Sequence, residues 1–351
     1  MKTIAKTIAK HVLYISGFYR LCRRRASSAK KRLLILMYHD VLEDEDADTG
    51  QLIDDESPTR SQFDAHLREI VRNYRVVSVG QAVDEIQSEN GLETDSVAVT
   101  FDDGYASVYS IAYPLLRKYS VPATVFLLTG WIESDTVFWW QHVRDMVKKS
   151  SFTGVKSAEL GEIVGFHTGS FKSGLDIDME FRRQLARRLQ SQLKTIPDDD
   201  RLSRLEKLQD LLFPDGDYVF GGEKALSWDQ IRVMADNGMD FQAHTSSHID
   251  MRFADLETIE RDIIQSKKDI ESQIGRLVNG FAFPYGKDLD SYVAAENILR
   301  KNGFRYACTA YPGINSDASN LYALRRGCLP PTASNAIINH DLCYRLVRTN
   351  D

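Results

Sequence analysis

The chain's 351 residues predict an α/β fold, a distorted or incomplete (β/α) barrel of about seven strands with a helical insertion. Three observations carry this. Short apolar runs of strand length alternate with amphipathic helical stretches, the order that builds parallel βαβ units. Polar residues able to do chemistry follow several of those runs directly, as they do at the C-terminal ends of barrel strands. The alternation breaks once, over about residues 131–225, and then resumes.

Residues 1–32 form a basic amphipathic segment ahead of the body at 33–351. They carry ten Lys or Arg and no acid. Ile4, Ile8, Val12, Ile15 and Tyr19 recur at helical spacing, and Lys2, Lys6 and Lys10 fall on other faces. Such a helix suits an anionic membrane surface, and it equally suits an ordinary leading helix packed on the body. The run Val12 to Ile15 is too short to span a bilayer or to form a signal-peptide core. The expectation is therefore a cytoplasmic protein, peripheral to the inner membrane, in preference to a secreted one.

Leu33 to Met37 reads as a buried strand that ends at His39. An acidic loop over 43–58 leads to a helix from Ser61 to Val71 and a strand from Val76 to Val79. Ser96 to Phe101 is a strand stopping at Asp102-Asp103-Gly104. Tyr109 to Tyr119 is a helix with Pro114 disturbing its middle, and Val121 to Leu128 is the next strand. Phe138-Trp139-Trp140 opens the inserted helices. Leu226 restarts the pattern: helix 228–237, strand 239–243, helix 256–274, strand 280–283, a helix near 291–302 and strand 305–309.

Beyond residue 32 the remaining 34 basic residues face 50 acidic ones, a net charge of −16, which argues against a nucleic-acid partner. Cys22, Cys308, Cys328 and Cys343 are widely spaced with no CxxC pair, so neither a zinc ribbon nor a dense disulfide framework is expected.

The strongest chemical signal is Thr100-Phe101-Asp102-Asp103-Gly104-Tyr105. Neighbours on a strand point to opposite faces, yet a tight turn at Gly104 can swing both carboxylates toward one site. Two carboxylates held together need a cation beside them. A surface Asp-Asp-Gly turn would look the same in isolation. The second signal is His244-Thr245-Ser246-Ser247-His248, two imidazoles at i and i+4 that can share a metal from one face of a helical turn. Thr245 stands where a zinc protease would need its glutamate. One carboxylate and two histidines leave coordination positions open and suit Zn2+, with Co2+, Ni2+ or Mn2+ as alternatives.

With these motifs the chain resembles the polysaccharide deacetylases, the NodB-homology or carbohydrate esterase family 4 group, over residues 33–130 and 226–330. The resemblance implies a NodB-like barrel, Asp102 as catalytic base, and Asp103, His244 and His248 as metal ligands. Phe281-Ala282-Phe283-Pro284-Tyr285-Gly286 resembles a further family loop, in which Tyr285 would offer its backbone N–H to the developing oxyanion. Many members carry an arginine where Ala282 stands. Arg326 is the candidate replacement, because a guanidinium can hold Asp102 with two hydrogen bonds.

The family's general acid is a histidine near the end of the domain, and His340 lacks that setting. His39, after Leu36-Met37-Tyr38, resembles instead the arrangement of the poly-N-acetylglucosamine deacetylase branch. Tyr105, Phe283, Pro284, Trp139 and Trp140 are expected to touch substrate, the tryptophans by stacking on sugar rings. His11, His66, His142 and His167 read as packing or solvent-facing residues.

The resulting expectation is a metal-dependent hydrolase that removes N-acetyl groups from N-acetylhexosamine units of a polysaccharide or its lipid-linked precursor. Two alternatives stay open: a deformylase or other C–N amide hydrolase on a non-glycan substrate, and a non-catalytic glycan-binding module that keeps the metal site.

Overall fold

The computed structural model describes residues 2–26, 31–45, 57–150, 160, 161, 163, 179–286 and 289–347. Most of the acidic loop and His167 lie outside the described residues. The chain forms two compact units, one of Met1–Glu43, Glu56–Ser134 and Ala225–Asp351, the other of Asp44–Asp55 and Asp135–Lys224.

In chain order the first unit begins with α1 (Lys2–Ile15), α2 (Phe18–Ala26), β1 (Leu33–Tyr38), α3 (Arg60–Asn73), β2 (Arg75–Val76), α4 (Val79–Gln87), β3 (Ser96–Asp103), α5 (Tyr113–Tyr119) and β4 (Ala123–Leu127). The second unit holds α6 (Trp139–Lys149), α7 (Met179–Leu193) and α8 (Asp198–Leu212). The chain then returns to the first unit with α9 (Trp228–Asp236), β5 (Asp240–Ala243), α10 (Leu256–Ile274), β6 (Gly280–Ala282), α11 (Leu289–Lys301), β7 (Tyr306–Cys308), β8 (Arg326–Gly327) and α12 (Asn335–Val347). No described helix is long and apolar enough to cross a membrane.

Local chemistry sets the helix ends. Ser227 and Gln230 form a reciprocal capping box at the start of α9. Asp255 caps α10 by accepting from Thr258 N, and Gly275, with φ 64°, closes that helix in a left-handed turn. As expected, Pro114 disturbs the middle of a helix: the turns over Val108–Ala112 widen to π form, and α5 starts at Tyr113, just before the proline.

All strand pairings are parallel, in the order β7-β6-β5-β4-β3-β1-β8. Leu324, just before β8, donates to Ala307 O at 2.9 Å and accepts from Thr309 N at 2.8 Å, which ties β8 back to β7. Seven strands thus make a nearly closed barrel. One member differs from expectation. Of the run Val76 to Val79 only Val76 is strand, in the two-residue β2 beside β3, because Ser78 caps α4 by accepting from Gln81 N and turns the chain into helix. The seventh barrel strand is β8, too short to announce itself. All eight residues of β3 are buried, as a strand flanked on both sides and covered by helices requires.

The register brings the strand ends to one rim. Tyr38 pairs with Phe101, Asp103 with Leu127, Leu127 with Ala243, and Ala243 with Phe281. His39, Asp102, Asp103, His244 and the loop from Phe283 to Gly286 therefore follow neighbouring strands at the same end. In the second unit Val143, Met146, Leu185, Leu189, Leu205 and Leu208 bury a separate core.

Candidate active site

β3 ends in a conformation that few residues adopt. Gly104 N donates to Asp102 O at 2.8 Å across Asp103, whose φ is 69°. This is the strained form of the γ-turn, and it breaks the strand alternation so that successive carboxylates can serve one site. The turn expected at Gly104 thus begins one residue earlier. Gly104 follows with φ 90°, and a Cβ there would meet Leu127 Cδ2 at 2.9 Å.

β6 leads to the same device. Gly286 N donates to Pro284 O at 2.7 Å across Tyr285, whose φ is 61°. A Cβ on Gly286 would lie 2.3 Å from Ala310 Cβ, so glycine is required there. Thr245 and His248 are left-handed as well, with φ 69° and 56°. Strained backbone at four residues around one point is what an over-determined functional site stores.

The histidine pair does not ride on a helical turn as expected. His244 to His248 is an irregular loop after β5, and its two left-handed residues bring the rings to 5.2 Å between centroids. Thr245 Oγ1 accepts from His248 N at 3.1 Å. Asp262, on α10, accepts from Ser246 N and Ser247 N at 3.1 and 3.3 Å and pins the loop from outside. Its role was not legible in sequence, since an acid on an amphipathic helix carries no mark of what it faces.

Asp103 Oδ1 is buried with no hydrogen-bond partner among the described residues. It faces His244 Nε2 at 3.4 Å and His248 Nε2 at 3.7 Å, contacts too long for good N–H···O bonds. Two ligands on a tetrahedral zinc-like ion stand about 3.4 Å apart. His244 Nδ1 donates to Ala282 O at 2.8 Å, which leaves Nε2 to present its lone pair to the cluster. Ala282 thus acts through its carbonyl. One carboxylate, whose buried oxygen is otherwise orphaned, and two imidazole nitrogens fit a divalent cation.

Arg326 completes the other half of the site. Its Nη1 and Nη2 donate to Asp102 Oδ1 and Oδ2 at 2.6 and 2.7 Å. Nε donates to Thr309 O at 2.9 Å, and Nη1 also reaches Thr100 Oγ1 at 3.3 Å. The guanidinium lies over the Phe126 ring, 5.4 Å from its centroid.

Burial pushes the Asp102 carboxyl up. The Arg326 guanidinium, followed by His244, more than offsets this and holds it below its ordinary value. Asp103 is likewise raised by burial and held well below the carboxylate range by His244, His248 and His39. Burial lowers His244, yet the neighbouring Asp103 and Asp102 leave it above the ordinary imidazole value. His39 is exposed at the end of β1, close enough for its charge to act on both carboxylates.

The residues expected to touch substrate differ in burial and surroundings. Tyr105 is buried edge-on against Trp131, centroids 4.9 Å apart. Phe283 is buried and stacks on Tyr292 at 4.1 Å, and Pro284 is buried beside it, so both support the loop from behind. Tyr285 is half-buried, with its ring 4.7 Å from that of His248. Trp139 and Trp140 belong to the second unit. There Trp139 packs on the helical core beneath Arg201, and Trp140 stacks on Phe138. Among the other histidines, His66 is buried and His142 stacks on Tyr218 at 5.2 Å. His340, on α12, faces Tyr19, and none of the four cysteines forms a disulfide.

A family model for polysaccharide deacetylase matches residues 89–172 and 206–307, more than half of the chain. The chain belongs to the polysaccharide deacetylase family. It is 20% identical to YxkH of Bacillus subtilis (strain 168) over 305 residues, which span 86% of this chain and 73% of that protein. It is 34% identical over 99 residues to the poly-beta-1,6-N-acetyl-D-glucosamine N-deacetylase of Escherichia coli (strain K12), 28% of this chain but 14% of that protein. Its fold matches that of the Streptococcus pyogenes deacetylase PplD with a TM-score of 0.58 at 18% identity, over 91% of this chain and 99% of that one. His39 and Arg326 both lie outside the stretches that the family model of this polysaccharide deacetylase matches.

Proposed function

We propose that this polysaccharide deacetylase hydrolyses the acetamide of N-acetylhexosamine units in a polysaccharide or its lipid-linked precursor. The observation that carries the reading is a buried, arginine-clamped carboxylate, Asp102, next in sequence to one member of a three-ligand cluster. Asp103, His244 and His248 would hold a divalent cation, zinc by the character of the donors. When bound, such an ion acts as a Lewis acid toward the acetamide carbonyl.

The chain's own groups do the rest. Asp102 is ionised at neutral pH and takes the proton of the attacking water, while Arg326 fixes the direction in which its remaining lone pairs point. Tyr285 N–H donates to the oxyanion as it forms, from a left-handed residue whose ring lies 4.7 Å from that of His248. His39, exposed at the end of β1, protonates the departing amine.

The test is acetate release from N-acetylglucosamine oligomers by the wild type and by Asp102→Asn. The reading expects the variant to lose hydrolysis by about 10²-fold or more while keeping its metal content. Release of formate but not acetate from matched N-acyl substrates would replace it with deformylation. Equal inertness of both proteins toward a panel of N-acetyl glycans would overturn it.

A further inference from the structure

In a helix that simply packs on a protein, aliphatic side chains face inward and polar ones outward. α1 reverses much of this order. On its inner side His11 Nε2 lies 3.4 Å from Ser334 Oγ, and Tyr14 OH donates to Glu69 Oε1 at 3.4 Å. Its aliphatic stripe points away: Ile8 is 58% exposed, Val12 60% and Ile15 83%. The chain turns at Gly17, φ 73°, and α2 continues with Phe18 and Leu21 exposed while Tyr19 is buried. Hydrophobic surface in a linear succession of this kind is unusual on a chain that meets only water.

The charge around the stripe selects its partner. The first 32 residues hold ten cations and no anion, on a chain whose remainder carries a net −16. Lys6 and Arg20 are exposed within the same two helices. A second copy of this chain would bring an equal positive charge to the same stripe, whereas an anionic lipid surface offers both the apolar layer and the opposite charge. We infer that α1 and α2 dock this protein on an anionic bilayer surface, with Ile8, Val12, Ile15, Phe18 and Leu21 entering the interfacial layer and Lys6 and Arg20 meeting lipid phosphates.

The test is co-sedimentation of the full chain with phosphatidylcholine vesicles and with vesicles that also contain phosphatidylglycerol. Wild type should bind the phosphatidylglycerol vesicles and release in high salt. The triple variant Ile8→Glu, Val12→Glu, Ile15→Glu should bind at least about tenfold more weakly, with an unchanged melting temperature because these side chains are already exposed. Lys6→Gln with Arg20→Gln should weaken binding and flatten its salt dependence. Failure of wild type to bind phosphatidylglycerol vesicles, or equal binding by the triple variant, would overturn the inference. So would a wild-type dimer, dissolved by the triple variant, that ignores vesicles.

Discussion

Arg326 holds Asp102 with two short hydrogen bonds, 2.6 and 2.7 Å, between residues 224 positions apart in the chain. The pair is buried, and the guanidinium has further acceptors in Thr309 O and Thr100 Oγ1. Its orientation is therefore decided before any substrate arrives.

Replacing Arg326 should damage the base more than the metal cluster. Arg326→Gln removes the charge that most strongly counters burial at Asp102, so the carboxyl pKa rises and the acidic limb of kcat/KM moves to higher pH. Loss of orientation should lower kcat by about 10²-fold, and Arg326→Lys should recover the charge but not the two-pronged grip. A full pH–rate profile of the three proteins checks this. An unshifted acidic limb in Arg326→Gln would remove Arg326 from the reaction.

His39 should matter in proportion to how much the leaving group needs a proton. His39→Ala is expected to slow acetamide hydrolysis by about 10²-fold or more and to spare p-nitrophenyl acetate, whose phenolate leaves unassisted. Parallel kinetics on both substrates separate the roles. Equal losses on both would assign His39 to binding or folding.

Metal removal should be visible without turnover. A chelator should lower the melting temperature of wild type by several degrees, since saturation at a thousand times Kd contributes about 4 kcal/mol. Asp103→Ala should melt at one temperature with or without chelator. Because Asp103 and Asp102 raise His244, protons compete with the cation from a higher pH than for a free imidazole, and metal content should fall as pH drops through that range. Differential scanning calorimetry and metal analysis on dialysed samples provide both readings.

His66 should make the fold acid-sensitive. Tyr38 OH donates to its Nδ1 at 3.2 Å and its Nε2–H donates to Pro330 O at 3.1 Å, a set that only neutral imidazole completes. Burial pushes its pKa down to about 4 from 6.5. The unfolded chain thus takes up the proton first as pH falls. The contribution is complete above pH 6.5, declines below it and is lost through pH 4, roughly 3 kcal/mol in total. Melting temperatures of wild type and His66→Gln across that window should differ in slope, the variant being the flatter.

Local motifs were enough to find Asp102, Asp103, His244 and His248, because each pair lies within five consecutive residues after a recognisable strand. The parallel alternation was legible for the same reason: burial on both faces leaves continuous apolar runs. Sequence by itself therefore determined the fold class and the cluster's members. Tertiary structure alone decided the rest. β8 has two residues and is a strand only because β1 and the end of β7 stand on either side of it, and its closure of the barrel is what delivers Arg326 to Asp102. The γ-turns at Asp103 and Tyr285 depend on backbone angles that no composition rule favours for those residues. The outward face of α1 was equally undecided, since an amphipathic period states that two faces differ and leaves to packing which of them meets solvent.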